Sequence, residues 1–333
     1  MKLLKNVLLF ALPASGKSEV RTYLDSMSSE QCMEEFKMGK TLQLDDYPYV
    51  HFMHRIDDEL YERGFDYVFF KGPQRPFIDN FEWGTLIHLL NEDYDNLMNQ
   101  RTFNPESAAN YLFDRMDNAH EKVGLPRYLE EVPYGVRMDI AAKMENEIRE
   151  HLDELNATNS QGLEGKTVVI EAARGAVNGS PFPVTPPQGY AYAFSQLDER
   201  ILDGASILYI WVTPEESRKK NQERAKPDAQ GSILHHCVPS EVMLGEYGCD
   251  DMDYLISLSD KPNTVKYERP VLISNETGNA KYEMKTWYLP VGKFDNRDDK
   301  TTFIRKGKDN WEADEVSKLH NELKSAFNKL AAE

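Results

Sequence analysis

Cysteine is scarce in this chain of 333 residues: Cys32, Cys237 and Cys249 are an odd number with no CxxC pair. That argues against a disulfide framework and points to a reducing, cytoplasmic compartment. No run of about 18 apolar residues occurs, so no membrane-spanning helix is expected. Positive charge is in deficit as well. With 39 Lys and Arg against 56 Asp and Glu, the formal net charge is −17, which makes a nucleic-acid partner unlikely because basic faces supply most of that affinity. Internal repeats and low-complexity tails are absent. The opening stretch MKLLKNVLLFALPASGKS superficially resembles a short secretory leader, but Lys17 and the helical pattern beyond it favour a buried first strand.

What is present suffices for one elaborated domain, since 40% of the residues are hydrophobic. Val7 to Phe10 is short and continuously apolar, the pattern of a strand buried on both faces. Val20, Tyr23, Leu24 and Met27 then recur at helical spacing. A strand over Thr41 to Leu44, a helix over Tyr49 to Arg63 and a strand over Phe65 to Phe70 follow. Residues 79–158 are predominantly helical and read as an inserted subdomain, which leaves 1–78 and 159–333 as the core. Strand patterns return at Thr167 to Glu171, Ile207 to Val212, Pro270 to Ser274 and Thr286 to Val291, before a terminal helix striped by Val316, Leu319, Leu323, Phe327 and Leu330. Strands alternating with helices predict an α/β fold in three layers with a mostly parallel sheet, a helical insertion and a C-terminal extension after Pro262.

LLFALPASGKSEV carries the strongest chemical signal. Ala11, Gly16, Lys17 and Ser18 fit the G-x-x-x-x-G-K-[ST] spacing everywhere except the first place. In that pattern the main chain from Pro13 through Ser18 forms an anion cradle at a helix N-terminus, with Ala14 and Ser15 in its middle. Proline itself supplies only its place in the turn. Gly16 lets the main chain approach phosphate, Lys17 bridges the outer phosphates and the Ser18 hydroxyl ligates Mg²⁺. Ala11 asks only for a small side chain, and would cost about 1 kcal/mol if that position needed positive φ.

ALPASGKSEV resembles the loop of P-loop phosphotransferases, the small-molecule kinases related to nucleoside and nucleotide kinases. The resemblance implies ATP and Mg²⁺. TLQLDDYPYV resembles the "LDDFY" segment of uridine-kinase-like and glycerate-kinase-like enzymes, which implies Asp45 as the base beside the acceptor hydroxyl and Asp46 as its neighbour on the substrate or as a metal-water ligand; Pro48 departs from the pattern. VVIEAARG delivers Glu171 to the carboxyl edge of the sheet, suited to a Mg²⁺ water shell or to acceptor activation, with Arg174 placed to grip a substrate anion. VTPEESRKKNQERAKPD resembles the strand and helix that lead into the family's lid, implying Arg218 on the nucleotide and Arg224 on the transferring group. Arg75 in FFKGPQRPF is a further candidate for an anionic substrate. His51 and His54 share a helical face beside the aspartates and could mimic a transition-metal site but read as helix surface, His235-His236-Cys237 has no second ligand pair at a matching spacing, and Asp250, Asp251 and Asp253 read as solvated charge.

The function expected is therefore ATP-dependent transfer of phosphate to a hydroxyl of a small-molecule or nucleoside-like acceptor. The alternatives are a polynucleotide-kinase-like or toxin-type phosphotransferase, and a non-catalytic nucleotide switch.

Overall fold

The computed structural model describes residues 3–224, 237–275 and 280–331, with the Arg224 side chain excluded. Residues Pro227, His235 and His236 thus lie outside the described residues. Strand β1 (Asn6–Phe10) sits in the middle of a six-stranded sheet whose order is β2-β3-β1-β4-β6-β5. The partners are β2 (Lys40–Asp45), β3 (Lys166–Ala172), β4 (Ala205–Trp211), β5 (Thr264–Ser274) and β6 (Lys281–Asp295). Every pairing is parallel except β5 with β6, which closes one edge as an antiparallel hairpin. The chain leaves β1 toward β2 on one side and leaves β3 toward β4 on the other. The carboxyl ends of β1 and β3 therefore flank a topological switch point, where open α/β sheets place their ligands.

The side chains of β1 show why both faces are covered. Leu8 and Phe10 point to a cluster with Ile87, Leu90 and Leu97 of α4 (Glu82–Met98) and with Tyr190 and Phe194 of α8 (Gly189–Gln196). Val7 and Leu9 point the other way, to Val20 and Leu24 of α1 (Lys17–Asp25) and to Leu319, Leu323 and Phe327 of α13 (Ala313–Leu330). Alternation along one strand thus builds two separate apolar layers. The segment after Pro262 is no appendage in space: β6 supplies a parallel strand beside β4, and α13 covers the sheet.

Between β2 and β3 the described elements are helical: α3 (Tyr47–Glu62), α4, α5 (Ala108–Val123), α6 (Tyr128–Glu131) and α7 (Tyr134–Asn159). α4 serves two layers, with Leu86 and Leu89 facing a second core that holds Phe52, Met53 and Ile56 of α3 and Met144 and Ile148 of α7. A buried network pins α3 to it. Arg115 donates to Asp93 at 2.6 Å and to the Tyr49 hydroxyl at 3.1 Å, and Tyr49 in turn donates to Asp93. The shorter helices are α2 (Ser29–Phe36), α9 (Glu199–Leu202), α11 (Ser240–Gly245) and α12 (Met252–Ser257), and among the described residues no helix is long and apolar enough to cross a membrane.

Two sequence expectations fail for identifiable reasons. Phe65 to Phe70 forms no strand, only a single antiparallel bridge from Phe70 to Phe77. The Asp57 carboxylate on α3 accepts the N–H groups of Val68 at 2.9 Å, Phe69 at 3.2 Å and Phe70 at 2.9 Å, so a side chain takes the donors that a neighbouring strand would need. Of the aspartates near 250, Asp253 is exposed as expected, but Asp250 and Asp251 are not solvated charge. Buried Asp251 accepts Tyr190 N–H at 2.6 Å and Ala191 N–H at 3.1 Å, fixing the start of α8, and Asp250 accepts the Tyr209 hydroxyl at 3.0 Å.

Asp57→Ala leaves three backbone donors without their acceptor, two of them on buried residues. It is expected to lower unfolding free energy by about 3 kcal/mol, measured by urea denaturation, with Asp57→Asn losing clearly less.

Candidate functional site

The turn from β1 into α1 is built by what holds its carbonyls. Ser217 donates its hydroxyl to Pro13 O at 2.7 Å, and the Asn296 amide donates to Ser15 O at 2.7 Å and to the Thr301 hydroxyl at 2.9 Å. Asn296 is itself fixed: Lys300 N–H donates to its side-chain oxygen at 2.7 Å, and Lys220 donates to its carbonyl at 2.9 Å. The amides of the turn are left unmatched. Among the described residues, none of the N–H groups of Ala14, Ser15, Gly16, Lys17 and Ser18 donates to a protein acceptor, whereas Val20 N–H already bonds to Gly16 O at 2.9 Å. Unmatched donors at the positive end of a helix attract an anion.

Backbone geometry explains the residue choices. Positive φ falls on Ala14 (58°) and Gly16 (107°), and not on Ala11. Alanine in the first motif position is therefore unstrained, and its side chain is buried in the layer beneath α1. Gly16 has no such freedom. A Cβ there would lie 2.6 Å from the Thr301 hydroxyl oxygen and 2.7 Å from the Asn296 amide nitrogen.

Pro13, Ala14, Lys17 and Ser18 open onto a cavity of about 200 Å³, whereas Ser15 and Gly16 are buried and do not line it. Its far rim is set by sheet register, because Asp45 at the end of β2 pairs with Glu171 on β3. Glu171 is bracketed by two cations: Lys17 Nζ lies 3.7 Å from Oε1, and Arg21 Nη1 lies 3.1 Å from Oε2. Asp45 accepts Tyr47 N–H at 2.9 Å. Burial, then the negative charges of Glu171 and Asp46, push its pKa up to about 7 against the pull of Lys17.

Arg174 is buried and does not line the cavity. It donates to Asp46 at 2.6 Å and to Ala173 O at 2.7 Å, and its guanidinium lies 4.9 Å from the Trp83 ring centre. The pair fixes the Asp45-Asp46 turn, and this arginine is not presented to a ligand. Arg218 on α10 (Pro214–Arg224) is also away from the cavity, bonded to Glu215 at 3.2 Å and Asn178 at 3.4 Å. Arg75 reaches the rim, exposed and 3.3 Å from Glu241. The Arg224 side chain lies outside the described residues. Among the described residues no three His, Cys, Asp or Glu side chains converge as a metal-ligand group.

Several contributors went unseen in the sequence. Arg21 was open to discovery, because it follows Lys17 by four residues and so shares its helix face. Asn296 and Thr301 come from a stretch with no motif. An aromatic wall runs through Phe70, Phe77, Trp83 and Tyr247, with successive ring centroids 4.7, 5.1 and 5.6 Å apart. Glu246 is set into that wall and accepts Phe77 N–H at 3.0 Å; burial pushes its pKa up to about 7.

Comparison of the chain with protein-family models, curated proteins and solved structures finds no match in any of the three.

The geometry makes opposite demands on the two small residues of the turn. Gly16→Ala is expected to destabilise by about 2 kcal/mol or more, from positive φ and the collision with Thr301 and Asn296. Ala11→Gly is expected to destabilise by only about 1 kcal/mol, since it frees the unfolded chain without relieving any strain. Chemical denaturation of the two variants checks both signs; a stabilised Ala11→Gly protein would mean that the first position does want glycine.

Proposed function

We propose that the chain is a P-loop phosphotransferase that moves the γ-phosphate of ATP to the hydroxyl of a small molecule. The observation carrying this reading is one cavity lined by a helix-start lysine next to unmatched turn amides and, on the adjoining strand ends, by Asp45 and Glu171. Positioning and charge neutralisation are what phosphoryl transfer needs most from a protein.

Turn amides and Lys17 hold the phosphates. Glu171 orients Lys17 and Arg21 toward them. Asp45 takes the proton of the acceptor hydroxyl; the acceptor oxygen bonds to the γ-phosphorus as the bond to the β–γ bridging oxygen breaks, and ADP leaves. A carboxylate whose pKa is near 7 is matched to that proton transfer. Ser18 and Glu171 would hold Mg²⁺ through the oxygen donors it prefers, which leaves Asp45 to the acceptor. When bound, the ion neutralises charge on the phosphates. Arg224 remains the candidate for the transferring group. A polymeric acceptor is disfavoured by the net charge of −17 and by the apolar wall of the cavity.

Screening hydroxyl compounds for ATP consumption tests the reading, with Asp45→Asn as control. Acceptor-dependent consumption is expected, and the variant is expected to lose about 10²- to 10⁴-fold in kcat. Consumption that ignores the acceptor and survives the substitution would instead support a nucleotide switch. The ionised carboxylate is the active form, so kcat/KM should rise as pH passes upward through about 7. Stability carries the opposite sign. A carboxyl raised on folding contributes stability below about 4 that is lost as pH climbs through about 7. Melting temperature should therefore fall more steeply from pH 5 to pH 8 in the wild type than in Asp45→Asn.

A further inference from the structure

Resting on the phosphotransferase reading, we propose that the acceptor is a hydroxyl compound carrying a protonated amine, with the ammonium received by Glu246 against the aromatic wall of the cavity. Glu246 is buried, yet it lines the cavity. One carboxylate oxygen takes Phe77 N–H at 3.0 Å, and the other has no protein donor among the described residues. Beside it stand the rings of Phe77, Trp83 and Tyr247; Phe77 is stacked on Phe70, Trp83 already carries the Arg174 guanidinium at 4.9 Å, and Tyr247 stands edge to face with Trp83 at 5.6 Å. Ring faces and a desolvated carboxylate together are the chemistry that recognises an ammonium group.

The charges around the cavity select the same sign. Among the described residues, each lysine or arginine of the lining already faces a carboxylate: Lys17 and Arg21 face Glu171, and Arg75 faces Glu241. His54 is stacked on Phe70 with centroids 3.7 Å apart. Asp46 is neutralised by Arg174. Asp45 and Glu246 make no salt bridge among the described residues, although Lys17 pulls on Asp45 and Lys71 on Glu246, so an acidic acceptor would set its charge against two buried carboxyl groups. A cation instead restores the charged form of a buried acid.

Isothermal titration of the full chain without nucleotide tests this. The probes are 2-aminoethanol and tyramine, their N-acetyl counterparts, the matching acids glycolate and 4-hydroxyphenylacetate, and uridine. At least one amine should bind about tenfold tighter than its acetylated and acidic partners, and Glu246→Gln, which keeps an acceptor for Phe77 N–H, should shrink that preference to within about threefold. Should that variant melt like an unfolded chain, Tyr247→Leu takes its place, with a smaller loss of preference expected. Equal or tighter binding of a neutral or acidic partner or of uridine, no binding of either amine, or a preference intact in the variant would overturn the proposal. Amine binding without ATP-dependent phosphorylation would keep the ammonium site and remove the phosphotransferase reading. Phosphorylation of neutral alcohols in preference to amines would do the reverse.

Discussion

One constraint organises the molecule: a strand must turn into a helix within six residues while five amides find no acceptor among the described residues. Such a turn would be costly if it were buried without partners. It persists because Ser217 and Asn296 bond the carbonyls of Pro13 and Ser15, while Ala14, Lys17 and Ser18 line the cavity. The bracing comes from distant chain. Asn296 lies 281 residues from the carbonyl it grips, and α13 packs beneath the same face of the sheet. The carboxyl-terminal part thus belongs to the site as much as the residues of the turn do.

Sheet register then converts that turn into a two-sided site. Parallel pairing of β1, β3 and β2 brings the end of β1 beside Glu171 and Glu171 beside Asp45. Two carboxylates on neighbouring strand ends, with Lys17 and Arg21 on only one of them, take on different characters. Glu171 is the salt-bridge partner of the helix-start cations, while Asp45 is left with a raised proton affinity. The aromatic wall opposite depends on α3 and on the chain following it, where Asp57 and Glu246 each take backbone donors of the Phe70 and Phe77 segment.

Much of this arrangement was legible in the sequence, and the parts that were not share one cause. The first strand, the Gly16-Lys17-Ser18 turn and α1 were readable because periodicity and motif act over a few residues. Asp45 and Glu171 were readable because each ends an apolar run. Phe65 to Phe70 misled because its composition suits a strand, while its donors are taken by Asp57, a side chain on the preceding helix. Arg174 looked available to a ligand, since nothing local revealed that Asp46, 128 residues away, would pair with it. Glu246 and Asn296 carry no local signal at all; their importance exists only after the chain has folded. The α/β class with a mostly parallel sheet needed none of these long-range contacts to be recognised.

The claim on which the account rests is that the amides from Ala14 to Ser18 receive phosphate. Amide-resolved nuclear magnetic resonance during titration with Mg²⁺ and ADP measures this most directly. The account predicts the largest shifts at Ala14, Ser15, Gly16, Lys17 and Ser18, saturating together with nucleotide. Unchanged resonances at those five positions, with saturable shifts elsewhere in the chain, would contradict it.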